Sequence, residues 1–279
     1  MTNMTFVDGV PARIKKQVAW WILQRRARAL GFSQDNLRRV EAYLDMSLRL
    51  QEPRYVHQLQ RPRAYFPGLT TQAWYEPSRF AWTAELEKAW VIIRQELLSI
   101  ATPGQLQLHR QGLTNAGRWN VYYLYQLGRK VEENCRRCPQ TAQVIDSIAD
   151  LTSTGLVYFS VLTEGTHITP HCGPTNTRLR CHLGLVVPQG CRIRVGSETR
   201  SWEEGRCLMF DDSFEHEVWN SDQRARVVLV LDVWHPDLTT AEVWALGQII
   251  KMSTEARKFF KAVRKNRNHF ANDDNLSML

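Results

Sequence analysis

A few polar residues in the second half of the chain set the chemical question. The stretch HCGPTNTRLRCH begins at His171 and ends at His182, with Arg178 and Arg180 inside it. FDDSFEHEVW then presents His216, 45 residues after His171, and Arg226 follows ten residues later near the head of RARVVLVLDVW. Neutral imidazoles are the commonest protein ligands for metals, and guanidinium groups grip carboxylates with two parallel hydrogen bonds. Together they could hold a metal beside an anion. The simplest third metal ligand would be an acid two residues after His171, but Gly173 stands there. Asp211, Asp212 and Glu215 precede His216 and read as a further carboxylate ligand, as partners of the imidazoles, or as a solvated acidic loop.

The elements that must position these residues are strands. From Trp119 onward the chain runs through WNVYYLYQL, GLVYFSVL, TRLRCHLGLVVP, CRIRV, RCLMF and RARVVLVLDVW, short segments rich in β-branched and aromatic residues. One short helix, roughly residues 140–150, interrupts them. Many short strands without alternating helices predict an antiparallel sandwich or jelly roll. In TRLRCHLGLVVP, alternation puts Arg178, Arg180 and His182 on one face and Leu179, Cys181, Leu183 and Leu185 on the other. A cationic strand face ordinarily points to water. Turned inward it demands anionic partners, because an unpaired buried charge is costly, and it then reads as a pocket for carboxylate-bearing small molecules or side chains. His171 falls at a turn before that strand, and His216 in an acidic loop after RCLMF. In a jelly roll, the array of His171, His216 and Arg226 fits a non-haem Fe(II) centre that uses 2-oxoglutarate, with Arg226 on the distal carboxylate of the co-substrate.

The rest of the chain is helical at both ends. Ile14, Val18, Trp21 and Ile22 recur at helical spacing among basic residues, and Leu37, Val40, Tyr43 and Leu44 form a second stripe. Thr83 reads as the N-cap of a longer helix carrying Leu86, Trp90, Ile93 and Leu97, closed by Pro103-Gly104. The net charge of +8 is uneven. Leu151–Thr240 holds eight arginines, no lysine and eleven acids, so positive charge concentrates in the flanks, notably QRRAR and RKFFKAVRKNR. Such flanks suit a solvated helix face or weak contact with an anionic membrane surface. No stacking-aromatic motif accompanies them, so nucleic acid is not expected. The apolar run VAWWIL is far short of a bilayer span and no signal-peptide pattern follows it, so a cytoplasmic protein is expected. Six cysteines in 279 residues do not make a disulfide scaffold. Cys135 and Cys138 form a single CxxC with no second pair for a zinc site.

HCGPTNTRLRCHLGLVVP, WEEGRCLMFDDSFEHEVW and VVLVLDVWHP resemble the aspartyl/asparaginyl β-hydroxylase family of iron and 2-oxoglutarate oxygenases. The resemblance extends from about Tyr65 to Pro236 and is strongest from Tyr158 onward. It implies an α+β fold: a double-stranded β-helix (jelly-roll) oxygenase core with flanking N- and C-terminal helices. It implies three segments, a helical region at 1–64, the jelly-roll domain at 65–238, and a C-terminal helix and basic tail at 239–279. The family binds iron through two histidines only, which match His171 and His216, with Gly173 at the position of the missing carboxylate. Arg226 and Ser160 match residues that bind the distal carboxylate of 2-oxoglutarate, and His182 with Arg180 match contacts near its other end. Arg178 and Arg180 match residues that hold an acidic side chain of a peptide substrate. The implied cofactor is Fe(II), with 2-oxoglutarate and O2 as co-substrates. The implied substrate is a peptide, protein or small molecule bearing a carboxylate or amide, hydroxylated at an unactivated carbon, first of all the β-carbon of an aspartyl or asparaginyl side chain. Hydroxylation of a lipid acyl chain or a free amino acid, or a non-catalytic anion-binding jelly roll, are the alternatives.

Overall fold

The computed structural model describes residues 10–100, 107–108, 112–148, 151 and 155–255. The chain forms two compact units, one of residues 54–238 and one of residues 1–53 with 239–279. Residues 10–53 and 239–255 thus belong to one body, while residues 54–64, read from the sequence as part of the N-terminal helical segment, fall in the larger unit. Pro103-Gly104 and the basic run at 257–267 lie outside the described residues.

In the larger unit the alternating segments become strands, with β1 at Trp74–Tyr75, β2 at Gln107–Leu108, β3 at Thr114–Ala116, β4 at Trp119–Gln126 and β5 at Arg129–Lys130. Then come β6 (Leu156–Leu162), β7 (His167–His171), β8 (Arg178–Val186), β9 (Cys191–Val195), β10 (Glu198–Arg200), β11 (Cys207–Phe210), β12 (His216–Asn220) and β13 (Arg226–Trp234). Among the described residues one sheet runs β1-β11-β8-β13-β6-β4-β2 with β5 paired to β4, and the other runs β10-β9-β12-β7-β3. The last eight strands in chain order give β11-β8-β13-β6 in one sheet and β10-β9-β12-β7 in the other, with antiparallel pairing throughout. Consecutive strands of β6–β9 and β10–β13 pass between sheets in the manner of two Greek keys, which is the double-stranded β-helix.

Strand alternation divides the interior in two. Leu179, Cys181, Leu183, Leu229, Leu231 and Val233 join Leu86, Ile93, Leu97 and Ile145 in one core on the helical side of the larger sheet. Val228 and Val230 join Ile168, Ile193, Val195 and Val218 in a second core formed with the smaller sheet. The helices of the first core are α3 (Trp82–Lys88), α4 (Trp90–Ile100), α5 (Glu132–Arg137) and α6 (Pro139–Asp146). The single helix expected from Thr83 is broken at Ala89, and Thr83 lies one residue inside α3, its hydroxyl bonded to the carbonyls of Pro77 and Phe80. Cys135 and Cys138 are part of this core, where burial raises their thiol pKa values to about 11 and about 12. That is the opposite of the depressed pKa a reactive CxxC needs.

The smaller unit holds α1 (Ala12–Ala29), α2 (Arg38–Ser47) and α7 (residues 240–255). Lys16 on α1 pairs with Asp45 at 2.7 Å and Glu41 at 3.3 Å. Arg39 on α2 grips the buried Glu242 with Nε at 2.7 Å and Nη2 at 2.6 Å.

Candidate active site

Both site histidines lie on strands. β7 and β12 are neighbours, and their register sets His216 directly opposite His171. The ring centroids are 4.1 Å apart. The expected turn and acidic loop are thus replaced by the last residue of HITPH and the first of HEVWN. Short polar strands with a solvent-facing side, one carrying a proline, lack the apolar run that marks a strand in sequence. Each ring is anchored by its own strand: His171 Nδ1 donates to the Thr169 carbonyl at 2.8 Å, and His216 Nδ1 to the Phe214 carbonyl at 2.9 Å. A carbonyl only accepts, so the neutral rings carry their proton on Nδ1 and keep the Nε2 lone pair. Burial lowers both pKa values, and for His216 the neighbouring His171 lowers it further. Neutral imidazoles of fixed tautomer are the form in which histidine binds a metal.

His182 lines the same pocket with the opposite tautomer. Trp202 Nε1 donates to His182 Nδ1 at 3.2 Å, and the rings stack with centroids 5.9 Å apart. An indole N–H cannot accept, so the neutral His182 carries its proton on Nε2. Burial, then the nearby Arg226 and Arg180, keep its pKa well below the usual value. The pocket therefore combines two imidazole lone pairs with one imidazole N–H, a set suited to a cation and an anion side by side.

Arg226 is the anion side. It is 1% exposed, with Nη1 3.5 Å from Ser160 Oγ and its guanidinium 4.7 Å from the centre of the Trp202 ring. Its Nε has no partner, and among the described residues no carboxylate pairs with it. Burial draws its pKa down to about 10, which still leaves it fully charged at neutral pH. Ser160 Oγ also accepts from Trp119 Nε1 at 3.0 Å.

Arg178, Arg180 and His182 share one face, as alternation requires, and that face turns inward, but the protein itself supplies the anions. Asp232 stands opposite Arg180 on β13. It receives Arg180 Nε at 2.9 Å and lies 3.0 Å from Arg178 Nη1. Asp212 Oδ2 is 3.0 Å from Arg180 Nη1 and 3.7 Å from Arg178 Nη2, contacts that are close but poorly aligned, so both Asp212 oxygens still lack a hydrogen bond. Burial opposes the charge on Arg180, and the two aspartates overcome it, leaving its pKa raised.

The acidic loop is not solvated. Asp211 and Asp212 are buried, and only Glu215 faces outward, pairing with Arg194 at 2.9 Å. Asp211 accepts from Ser213 N and Gln60 Nε2, each at 2.9 Å, while burial raises its pKa to about 7. The Asp212 carboxylate fills the space beside Gly173, where an added Cβ would lie 2.5 Å from its Oδ1. Among the described residues no group of three or more His, Cys, Asp or Glu is set to hold a metal.

Asp232 and Trp202 were not read as site residues from the sequence. Asp232 had a signal: an acid inside an apolar strand, an even number of residues from Arg226. Trp202 had none, since it lies in the irregular SWEEG segment before β11.

The chain matches the Aspartyl/Asparaginyl beta-hydroxylase family over residues 87–236, more than half its length. It belongs to that family. Among family relatives, the mouse aspartyl/asparaginyl beta-hydroxylase is 39% identical over 228 residues, 79% of this chain and 31% of its own. The human aspartate beta-hydroxylase domain-containing protein 2 is 45% identical over 142 residues, 49% of this chain and 38% of its own. The ornithine lipid ester-linked acyl 2-hydroxylase of Rhizobium tropici is 36% identical over 184 residues, 62% of this chain and 64% of its own. The chain thus spans about a third of the length of the first two. Among the described residues, no helix is long and apolar enough to cross a membrane.

Proposed function

We propose that this β-hydroxylase family member is an Fe(II)- and 2-oxoglutarate-dependent dioxygenase that hydroxylates an unactivated C–H bond. The observation that carries this reading is the pairing of two pinned imidazole lone pairs with a buried arginine that has no carboxylate among the described residues. The residues fit the group. His171 and His216 would hold Fe(II) through Nε2, and the unbonded oxygens of Asp212 give a cation-seeking neighbour without acting as an assigned ligand. Bound iron would supply the oxidation, in which O2 and 2-oxoglutarate yield the hydroxylated product, succinate and CO2.

The remaining work belongs to the protein. Arg226 and Ser160 would take the distal carboxylate of 2-oxoglutarate, and the His182 Nε2–H with Arg180 would meet its other end. Trp119, Tyr158 and Phe210 wall the pocket and exclude water. Charge supports an acidic substrate. Three guanidiniums against Asp212 and Asp232 leave one positive charge; a divalent ion adds two and 2-oxoglutarate removes two. What is left matches one further carboxylate, which Arg178 and Arg180 would hold. The Rhizobium tropici relative, matched over most of its own length, favours a second reading, hydroxylation of a lipid acyl chain.

The test is anaerobic addition of Fe(II) and 2-oxoglutarate, followed by O2. A visible charge-transfer band and then succinate release are expected, faster with the true substrate when aspartyl peptides and acyl lipids are offered. Absence of the band sinks the metal reading, and a band without succinate leaves an anion-binding module. His216→Ala should abolish the band, while Arg226→Ala should demand much more 2-oxoglutarate to form it.

A further inference from the structure

α1 buries a narrow side and exposes a broad apolar one. Ala19, Leu23 and Ala27 are buried, a face of mostly small residues. Ile14, Val18 and Trp21, at 48%, 53% and 60% exposure, lie in line one turn apart on the opposite side. A tryptophan left that open on a folded helix is unusual, and three apolar side chains in a row form a stripe rather than scattered surface residues. Arg25 continues the stripe, its guanidinium 5.7 Å from the centre of the Trp21 ring.

The helix carries Arg13, Lys15, Lys16, Arg25, Arg26 and Arg28 and no acid. Lys16 is paired with Asp45 and Glu41, and Arg26 donates to Gln248 at 2.9 Å. Arg13, Lys15, Arg25 and Arg28 have no acidic partner among the described residues. The unmet requirements of this face are thus apolar contact along the middle and negative charge at the margins.

We propose that α1 docks this chain on the surface of an anionic lipid bilayer, with Ile14, Val18 and Trp21 in the headgroup–acyl boundary and Arg13, Lys15, Arg25 and Arg28 on lipid phosphates. A bilayer interface meets both requirements at once, and indole rings favour that depth. A second copy would meet only one of them, because two such helices face to face would oppose arginines to arginines. A nucleic acid would satisfy the charge but leave the apolar stripe in contact with phosphates. The inference stands apart from the proposed reaction, since its readout is binding rather than turnover.

The test is co-sedimentation of the full chain with vesicles of phosphatidylcholine alone or mixed equally with phosphatidylglycerol, beside its mass in solution by light scattering. The unaltered chain should bind the phosphatidylglycerol vesicles, weaken with salt, and leave phosphatidylcholine vesicles largely unbound. Val18→Glu with Trp21→Glu should cut binding by about tenfold or more, and Arg25→Gln with Arg28→Gln by roughly tenfold. These residues are exposed, so unchanged circular dichroism and melting are expected. Equal binding to both vesicle types, no binding to either, or binding indifferent to both double variants overturns the proposal. A dimer that dissociates in Val18→Glu with Trp21→Glu, without vesicle binding by the unaltered chain, assigns the face to a second copy instead.

Discussion

Arg180 and Arg226 sit on adjacent strands and turn toward the same interior face, Arg226 buried and Arg180 partly exposed, in opposite electrostatic circumstances. Arg180 lies between Asp212 and Asp232, and its pKa is raised. Arg226 has a serine hydroxyl, an indole face and, among the described residues, no carboxylate, and its pKa is lowered. The first arrangement is charge-balanced before any ligand binds, although both Asp212 oxygens and Arg178 Nε still lack a hydrogen bond. The second is incomplete and lowers its own free energy by capturing an anion. A buried arginine whose counter-charge is missing is therefore the stronger of the two calls for an anion.

The comparison can be broken at either end. The largest effect is expected for Asp232→Asn, which leaves Arg178 and Arg180 short of a fully buried counter-charge. Urea unfolding should show a loss of about 3–5 kcal/mol, and a loss below about 1 kcal/mol would mean that the cluster does not hold the wall. Arg226→Met should act in the other direction, because it replaces an uncompensated buried charge with an apolar chain of similar reach. Without ligands its stability should hold or rise by about 1–3 kcal/mol. A rise in melting temperature with 2-oxoglutarate is expected for the unaltered chain and should vanish in this variant. Equal destabilisation by both substitutions would erase the distinction.

Trp202→Phe sharpens the comparison, since it keeps a ring beneath Arg226 but removes the N–H that fixes His182. A loss of about 1 kcal/mol is expected, read as roughly fivefold weaker 2-oxoglutarate binding. Nitrogen-15 spectra of His182 should change from one tautomer to a mixture. The smallest effect is on pH dependence. His171, His182 and His216 all have folded pKa values below the ordinary value of about 6.5. Below that pH the unfolded chain binds more protons than the folded one, so stability is full above about 6.5 and falls as pH drops. In metal-free protein the melting temperature should follow this course, and His182→Gln should flatten it.

How much of this was legible follows from periodicity. The parity of Arg178, Arg180 and His182 placed them on one face, the pairing of β8 with β13 carries the same parity to Asp232 and Val230, and alternation along β13 carries it on to Arg226. CRIRV coincides with β9 because its apolar residues alternate cleanly. HITPH and HEVWN were not legible as strands, since their composition is set by the site they carry. The identity of the counter-ions lay in pairing between distant segments, which no local pattern encodes. Trp202 was invisible for the same reason: its role is set by what lies above it, not by its neighbours in sequence.

Gly173 also bears on how such a site can change over generations. Any side chain at this position would begin inside the space of the Asp212 carboxylate. Gly173→Asp alone would set two carboxylates against each other in a buried place. Clearing the space first, by shortening Asp212, would strip Arg180 of one of its two counter-charges. Each single step toward a two-histidine, one-carboxylate centre is therefore worse than either end state. The pair of positions is coupled by epistasis, and an engineer seeking a carboxylate at position 173 would have to alter at least these two positions together.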